Sequence, residues 1–464
     1  MEIKFIVLYL HYCNVRYSKS GCNKKRLYMR FYNREKELEL LGRIETLSVT
    51  DAQMTVLIGR RRIGKTSLLR HFIADKPAVY LFLAKKSETL ICAELTEAIK
   101  QSLAVELYGE YRQFKEVFRF LLDLSKKQHF TLILDEFQEL TSINPAVFSE
   151  MQNLWDVAKA ESQMNLILCG SVYSMMNKIF ENAKEPLFGR ATNRIHLKPF
   201  TINTLKEILA ENYTGFTNDD LLAFYLFTGG VARYVELLVS RKAFTLNDIL
   251  NEIFSDNSIL LDEGKNILVD EFGKEYSTYF SILTLIASSK TSRSEIESVL
   301  EMSVGGYLER LDVDFGLIRK VRPVLAKSGS RNLKYSISDN FLNFWFRFIY
   351  KYRSSIEIGN FDYVRSIVER DYATFSGLIL EKYFVEKMIL SQKYSTIGTY
   401  WEKANQNEID IVAINEMEKK ALFAEVKRKK ENINLNVLKE KSTKIAQSFP
   451  GYEISYQGFS IEDM

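Results

Sequence analysis

Between Gly59 and Thr66 the chain reads GRRRIGKT, with glycines at 59 and 64 followed at once by a lysine and a hydroxyl residue. These residue types in this order suit an anion. Glycines let the backbone curl so that its N–H groups face phosphate oxygens, Lys65 adds a mobile positive charge, and the Thr66 hydroxyl can reach a divalent cation. A helix opening at Lys65 would add a partial positive charge of roughly half a unit at its N-terminus. The predicted contact set is Gly59, Arg62, Ile63, Gly64, Lys65, Thr66 and Ser67, and the expected ligand is ATP with Mg²⁺. The three arginines, Arg60, Arg61 and Arg62, suit either sensing of nucleotide or nucleic acid or plain solvated loop positions.

Further on, TLILDE sets Asp135 and Glu136 at the end of an apolar run, where a buried strand delivers side chains to one edge of a sheet. Asp135 is expected to hold Mg²⁺ through water. Glu136 is expected to polarise the attacking water, because phosphoryl transfer needs positioned charge more than covalent chemistry. NLILCGS repeats the design and brings Ser171 forward as a polar sensor, or as an ordinary strand-to-loop serine. Arg190, in EPLFGR, suits either a cation that stabilises transition-state charge or a surface ion pair.

Such groups need a sheet whose strand tips converge, and the sequence supplies one. A helical repeat over REKELELLGRIETL precedes an alternation of apolar runs and helical periodicity: strand 54–59, helix 65–74, strand 78–84, helix 88–106, strand 130–136, helix 146–160, strand 165–170 and a last strand at 194–200. That alternation predicts a parallel sheet covered by helices on both faces. Residues 201–270 keep helical spacing around Gly229 and Gly230, as a small lid would. Over 276–345, three helical stretches precede a hairpin-like run, the order of a winged helix.

With 46% hydrophobic and 26% charged residues, the 464-residue chain has ample material for several cores, which excludes a disordered chain. The four cysteines show no C-x-x-C spacing, so a reducing, cytoplasmic setting is expected. No stretch is long enough to span a bilayer, and no membrane partner is expected. Residues 1–28 carry six basic residues against one acid, and without them the net charge falls from +4 to −1. This segment is expected to be an extension without a structural role, ahead of a domain beginning at Met29.

FYNREKELELL, GRRRIGKTSLL, LILDEFQ, LILCGS, PLFGR with IHLKPF, TGGVARYVELL, YSISDNFLNFWFRF and EIDIVA with LFAEVK together resemble the archaeal-type ATPases of the AAA+/STAND group, from about Phe31 to the C-terminus. The resemblance implies an α/β fold: a P-loop NTPase parallel sheet of the AAA+/ASCE type over 29–200, a helical lid over 201–270, a winged helix over 271–350, and an endonuclease-like α/β domain over 351–464. It also implies Asn33 and Arg34 as neighbours of the nucleotide. Ala232 stands where the family's lid motif has proline, and a looser lid contact to the phosphates is expected from that. Asp410, Glu425 and Lys427 resemble the D…E-x-K core of restriction-endonuclease-like folds, with Glu381 as a helical acid and a second Mg²⁺ as the implied metal. Ordinary exposed strand charges give the same pattern. Six basic residues between Arg319 and Lys334 suit DNA phosphates. The rival expectation is a regulatory switch that binds a protein partner or a second copy of itself, with no nucleic-acid chemistry.

Overall fold

The computed structural model describes residues 30–327, 329–330, 332–402 and 406–464. The expectations about residues 1–28, Cys13 and Cys22, and about Arg331, lie outside these described residues.

Five parallel strands form the first sheet: β1 (Gln53–Ile58), β2 (Ala78–Phe82), β3 (Phe130–Asp135), β4 (Met164–Gly170) and β5 (Asn193–His196), in the order β2-β3-β4-β1-β5. Alternation along the strands divides the core into two layers. Met54, Val56, Leu132, Leu134, Leu166 and Leu168 face one layer, while Leu57, Ile133, Ile167 and Cys169 face the other. The second layer is closed by α1 (Glu35–Ser48) through Leu41 and Ile44, and by α2 (Lys65–Phe72) through Leu68, Leu69 and Phe72. The first is closed by α3 (Glu88–Leu103), α4 (Phe114–Ser125), α5 (Val147–Ala158) and α6 (Tyr173–Glu181). Helices α4 and α6 were not anticipated from sequence. Their apolar faces become legible only once the sheet supplies something to cover, although α4 carries a capping box from Gln113 and Glu116.

Because all five strands run the same way, their C-terminal ends share one edge. Strand β4 lies between the glycine-loop strand β1 and the acidic strand β3. Residues following β1, β3 and β4 therefore meet there, which is where such sheets bind ligands.

Beyond β5, α7 (Ile202–Asn212) opens with Thr201 as N-cap, its side chain accepting from the Thr204 N–H. Next come α8 (Asn218–Thr228), with every residue from Leu221 to Thr228 buried, α9 (Ala232–Arg241) and α10 (Leu246–Ile253). Gly230 takes φ +73°, and a Cβ there would sit 2.2 Å from the Phe200 carbonyl oxygen. Only glycine fits where Phe200 N–H also donates to Gly230 O at 2.7 Å.

Helix α11 (Glu263–Phe272) leads to α12 (Tyr276–Ala287), α13 (Arg293–Leu300) and α14 (Gly305–Asp312), then to an antiparallel hairpin of β6 (Ile318–Val321) and β7 (Lys334–Ile337). Short α15 (Asn340–Phe344) precedes the 31-residue α16 (Phe361–Ser391), about 46 Å long at 1.5 Å per residue. The second sheet, of order β11-β10-β9-β8, contains β8 (Thr396–Tyr400), β9 (Ile409–Asn415), β10 (Lys420–Val426) and β11 (Glu453–Phe459), with α17 (Leu435–Ala446) against it. Strands β8, β9 and β10 are antiparallel neighbours, and β11 runs parallel to β10. Phe31–Met464 pack as one compact unit.

Candidate functional site

The loop from Gly59 turns into α2 through Gly64, which adopts φ +100°. Lys65 is buried, and its Nζ donates to the carbonyls of Gly59 at 2.5 Å and Arg60 at 3.0 Å. Burial draws this ammonium below its usual range, against the opposing pull of Glu136 and Asp135. A buried cation whose bonded partners are neutral carbonyls is complementary to an incoming anion.

Beside it, the Thr66 hydroxyl donates to Asp135 Oδ2 at 3.0 Å, so loop and acidic strand tip meet as the sequence predicts. Asp135 is buried; its Oδ1 accepts the Glu136 N–H at 3.0 Å and its Oδ2 also accepts the Tyr80 hydroxyl at 2.6 Å. Glu136 turns through a left-handed φ of +57°, and its Oε2 accepts from Ser171 Oγ at 2.7 Å and from Gln138 Nε2 at 2.5 Å. Ser171 in turn receives Arg61 Nε at 3.4 Å. These residues fit a magnesium-bound triphosphate: a hydroxyl and a carboxylate in contact, a buried ammonium beside them, and a second carboxylate one residue on.

Around this centre the other predicted residues are divided. Arg34 lies against the loop, its Nη2 donating to Ile63 O at 3.3 Å and its guanidinium 4.8 Å over the Phe200 ring. Asn33 bonds instead to the Thr204 hydroxyl of α7, and Ser67 is exposed on the first turn of α2. Arg62, at φ +69°, turns away and pairs with the fully buried Glu263 of α11 at 2.8 Å. Tyr234 donates to the other oxygen of Glu263 at 2.8 Å.

Arg190 takes the second of its two expected places, a surface ion pair. Strand β5 runs parallel to β1 with Asn193 opposite Thr55, which puts Arg190 by the edge where strands begin, across the sheet from the loop. There it pairs with Asp156 at 3.2 Å and donates to Phe188 O at 2.9 Å. Ala232 is the first residue of α9, a position where a backbone N–H has no helical partner, so alanine replaces proline there without losing a bond. The lid stays close to the loop: Arg233 N–H donates to Arg62 O at 3.1 Å, and a Cβ on Gly64 would lie 3.4 Å from Ala232 Cβ.

Sequence reading missed four partners of this site: Tyr80, Gln138, Glu263 and Asp339. Tyr80 left a trace as a polar tip in an apolar strand, and Gln138 and Asp339 stand inside the quoted LILDEFQ and YSISDNFLNFWFRF without a role read for them; Glu263 is recruited from a later helix. Arg60 pairs with Asp339 at 3.4 Å and also donates to Gly316 O, while Arg61 donates to Asn266 O at 3.1 Å.

A second group gathers on the C-terminal sheet. Lys427 Nζ lies 3.5 Å from Asp410 Oδ2 and 3.3 Å from Glu425 Oε1. Asp410 also accepts the Val426 N–H at 2.7 Å, and Glu425 the Asn434 N–H at 3.3 Å. Burial and the charge of Asp410 push the Glu381 carboxyl well above the usual carboxylate range. Among the described residues, no set of three or more His, Cys, Asp or Glu side chains is placed to hold a metal ion. On the hairpin, Lys320 is tied to Asp312 at 3.0 Å and Lys334 to Glu408 at 2.8 Å, while Arg319, Arg322 and Lys327 are exposed. No helix among the described residues is long and apolar enough to cross a membrane.

Residues 31–238 match a family described as an ATPase domain predominantly from Archaea, and residues 345–445 match one described as archaeal and bacterial proteins of unknown function. An uncharacterized protein of Methanocaldococcus jannaschii is 32% identical over 412 residues, covering 86% of this chain and 88% of its own length. Among solved structures, the Walker-type ATPase of Pyrococcus abyssi superposes with a TM-score of 0.54 at 19% identity, over 70% of this chain and 99% of that one, which shows a shared fold. With its five-stranded parallel sheet of P-loop ATPase type, its helical region and its C-terminal sheet, the chain belongs to the archaeal ATPase-domain family that carries this C-terminal region of unknown function.

Proposed function

We propose that the protein is a Mg²⁺-dependent ATPase whose cycle of binding and hydrolysis switches the disposition of its lid and C-terminal elements. In this reading Gly59 to Ser67 cradle the phosphates, Lys65 reaches the outer phosphates, and Thr66 and Asp135 hold the metal, Asp135 through water. The metal supplies charge neutralisation at the phosphates when bound. Glu136 accepts a proton from the attacking water, and Ser171 fixes Glu136 from the neighbouring strand. Arg190 takes no part within its own chain.

The observation that carries the switch is the fate of the three loop arginines. Arg60 reaches Asp339 and Gly316, while Arg61 and Arg62 both reach α11, at Asn266 and Glu263, so consecutive loop residues hold two downstream regions of the chain. A loop that tightens on a triphosphate moves the roots of all three. The switch is tested by hydrogen exchange on the full chain, with and without Mg-ATP, in wild type and Lys65→Ala. Nucleotide-dependent change over 263–272 and 316–321 in wild type alone supports it; no change there sinks it.

As to partners, exposed Arg319, Arg322 and Lys327 on the winged-helix-like hairpin favour DNA phosphates, though two of the basic residues counted for that role are spent on internal pairs. Salt-dependent DNA binding that falls in an Arg319→Ala, Arg322→Ala double variant supports this. DNA-independent turnover with a co-purifying protein supports the rival switch, in which the partner is a protein. The Asp410, Glu425 and Lys427 set, with Glu381 alongside, is offered as a second Mg²⁺ site of nuclease type. Equal divalent-dependent cleavage by wild type and Asp410→Ala counts against it.

A further inference from the structure

We infer that Tyr80 and Gln138 are positioning residues that set the two acidic side chains separately, Tyr80 fixing Asp135 toward the metal and Gln138 fixing Glu136 toward the water. The inference rests on the ATPase reading above and names how that site is tuned.

Tyr80 belongs to β2, one strand beyond β3, where the parallel register places it opposite Ile133 and Phe82 opposite Asp135. Side chains two apart share a face, so Tyr80 and Asp135 both point to the layer that holds α2. The phenol donates to Asp135 Oδ2 at 2.6 Å, the same oxygen that accepts the Thr66 hydroxyl at 3.0 Å. Thr66 is the residue expected to turn toward the metal. Tyr80 sits outside the phosphate loop, so its bond can orient the carboxylate whichever way Thr66 faces. A hydrogen bond to a buried charged acceptor is among the stronger kinds, and no bulk water stands ready to replace it.

Gln138 lies in the short turn Phe137–Glu139 that follows β3, and it is fully buried. Its Nε2 donates to Glu136 Oε2 at 2.5 Å, while its own Oε1 has no partner among the described residues. Burying an amide with one end unpaired costs free energy, so the bond made by the other end is the feature that accounts for its placement. Gly170 clears the space, since a Cβ there would sit 2.5 Å from Gln138 Oε1. Gln138 and Ser171 hold the same oxygen, Oε2, which leaves Oε1 of Glu136 to accept from water.

Separate positioning predicts separable defects. ATP binding is measured by titration calorimetry in EDTA and across a Mg²⁺ series, and hydrolysis by single turnover, on the full chain. Tyr80→Phe is expected to bind metal-free ATP within about twofold of wild type, to need at least about fivefold more Mg²⁺ for half-maximal tight binding, and to recover its rate at high Mg²⁺. Gln138→Met is expected to leave both affinities within about twofold and to lower the single-turnover rate at least about tenfold, with no recovery by Mg²⁺. Should Gln138→Met fail to fold, Gln138→Asn, whose amide is too short to reach Glu136, must show the same rate loss. The inference is overturned if the two variants shift the same parameter, or if neither shifts any. Wild type that binds no ATP, or Lys65→Ala that hydrolyses as wild type does, overturns the ATPase reading itself and the inference with it.

Discussion

Arg60 in the phosphate loop pairs at 3.4 Å with Asp339, a residue 279 positions further along the chain. Asp339 has a second task, since its Oδ1 accepts the Leu342 N–H at 2.9 Å and caps α15. The two tasks can be separated because asparagine caps helices about as well as aspartate but carries no charge. If the pair holds the loop in its nucleotide-free form, Asp339→Asn is expected to tighten ATP binding about twofold to fivefold, the range set by a partly exposed ion pair. Asp339→Ala loses about 1 kcal/mol more of folding stability through the missing cap. Calorimetric ATP titration and urea unfolding read the two effects, and an unchanged ATP affinity in Asp339→Asn removes the latch.

Lys65 and Glu136 are expected to fail differently. Lys65→Ala should weaken ATP binding at least about a hundredfold, because the phosphates lose the one buried cation within the loop's turn. Glu136→Gln should bind ATP near the wild-type level and hydrolyse it about a hundredfold to ten-thousandfold more slowly. Equilibrium binding with single-turnover rates separates the two, and normal turnover by Glu136→Gln refutes the role given to that carboxylate.

Gly230→Ala tests the tie between β5 and the lid. Its Cβ would stand 2.2 Å from a backbone oxygen at a φ of +73°, so backbone has to move, and a loss of at least about 2 kcal/mol in urea unfolding is expected. Gly306→Ala, inside α14 with nothing within 4 Å of the new Cβ, is the control, with a neutral effect or a gain up to about 1 kcal/mol.

Lys382 gives a pH dependence. Among the described residues its ammonium donates only to neutral acceptors, Ile337 O at 2.9 Å and Asn340 Oδ1 at 3.2 Å. Burial, reinforced by the like charge of Arg319 and opposed by Asp339, pulls its pKa from 10.5 down to about 7. Between those values the unfolded chain holds a proton that the folded chain has released, so stability rises with pH across that window and is flat, for this group, below it. Glu381, pushed upward, contributes in the opposite sense at lower pH, so the comparison belongs at about pH 8.5 to 9.5. Lys382→Met should make the change in urea midpoint over that interval less positive than in wild type, leaving the contribution of Lys65 and Lys387, which burial also lowers; an equal change in both proteins refutes the assignment.

The sequence by itself determined the glycine loop, the acidic strand tip and the parallel sheet, because each rests on local rules: glycine where the backbone must curl, β-rich apolar runs for buried strands, and a period near 3.6 for the helices between them. Asp410 and Glu425 stand on the neighbouring strands β9 and β10, with Lys427 one residue past β10. What only the tertiary structure decided is who holds these groups. Strand order placed β4 between β1 and β3 and so brought Ser171 to Glu136, while parallel pairing sent Arg190 to the opposite edge. Tyr80 and Glu263 fall in no quoted motif, and Gln138 and Asp339 fall in quoted motifs that do not state their partners, because all four roles depend on direction and distance across the fold, which spacing along one chain does not encode.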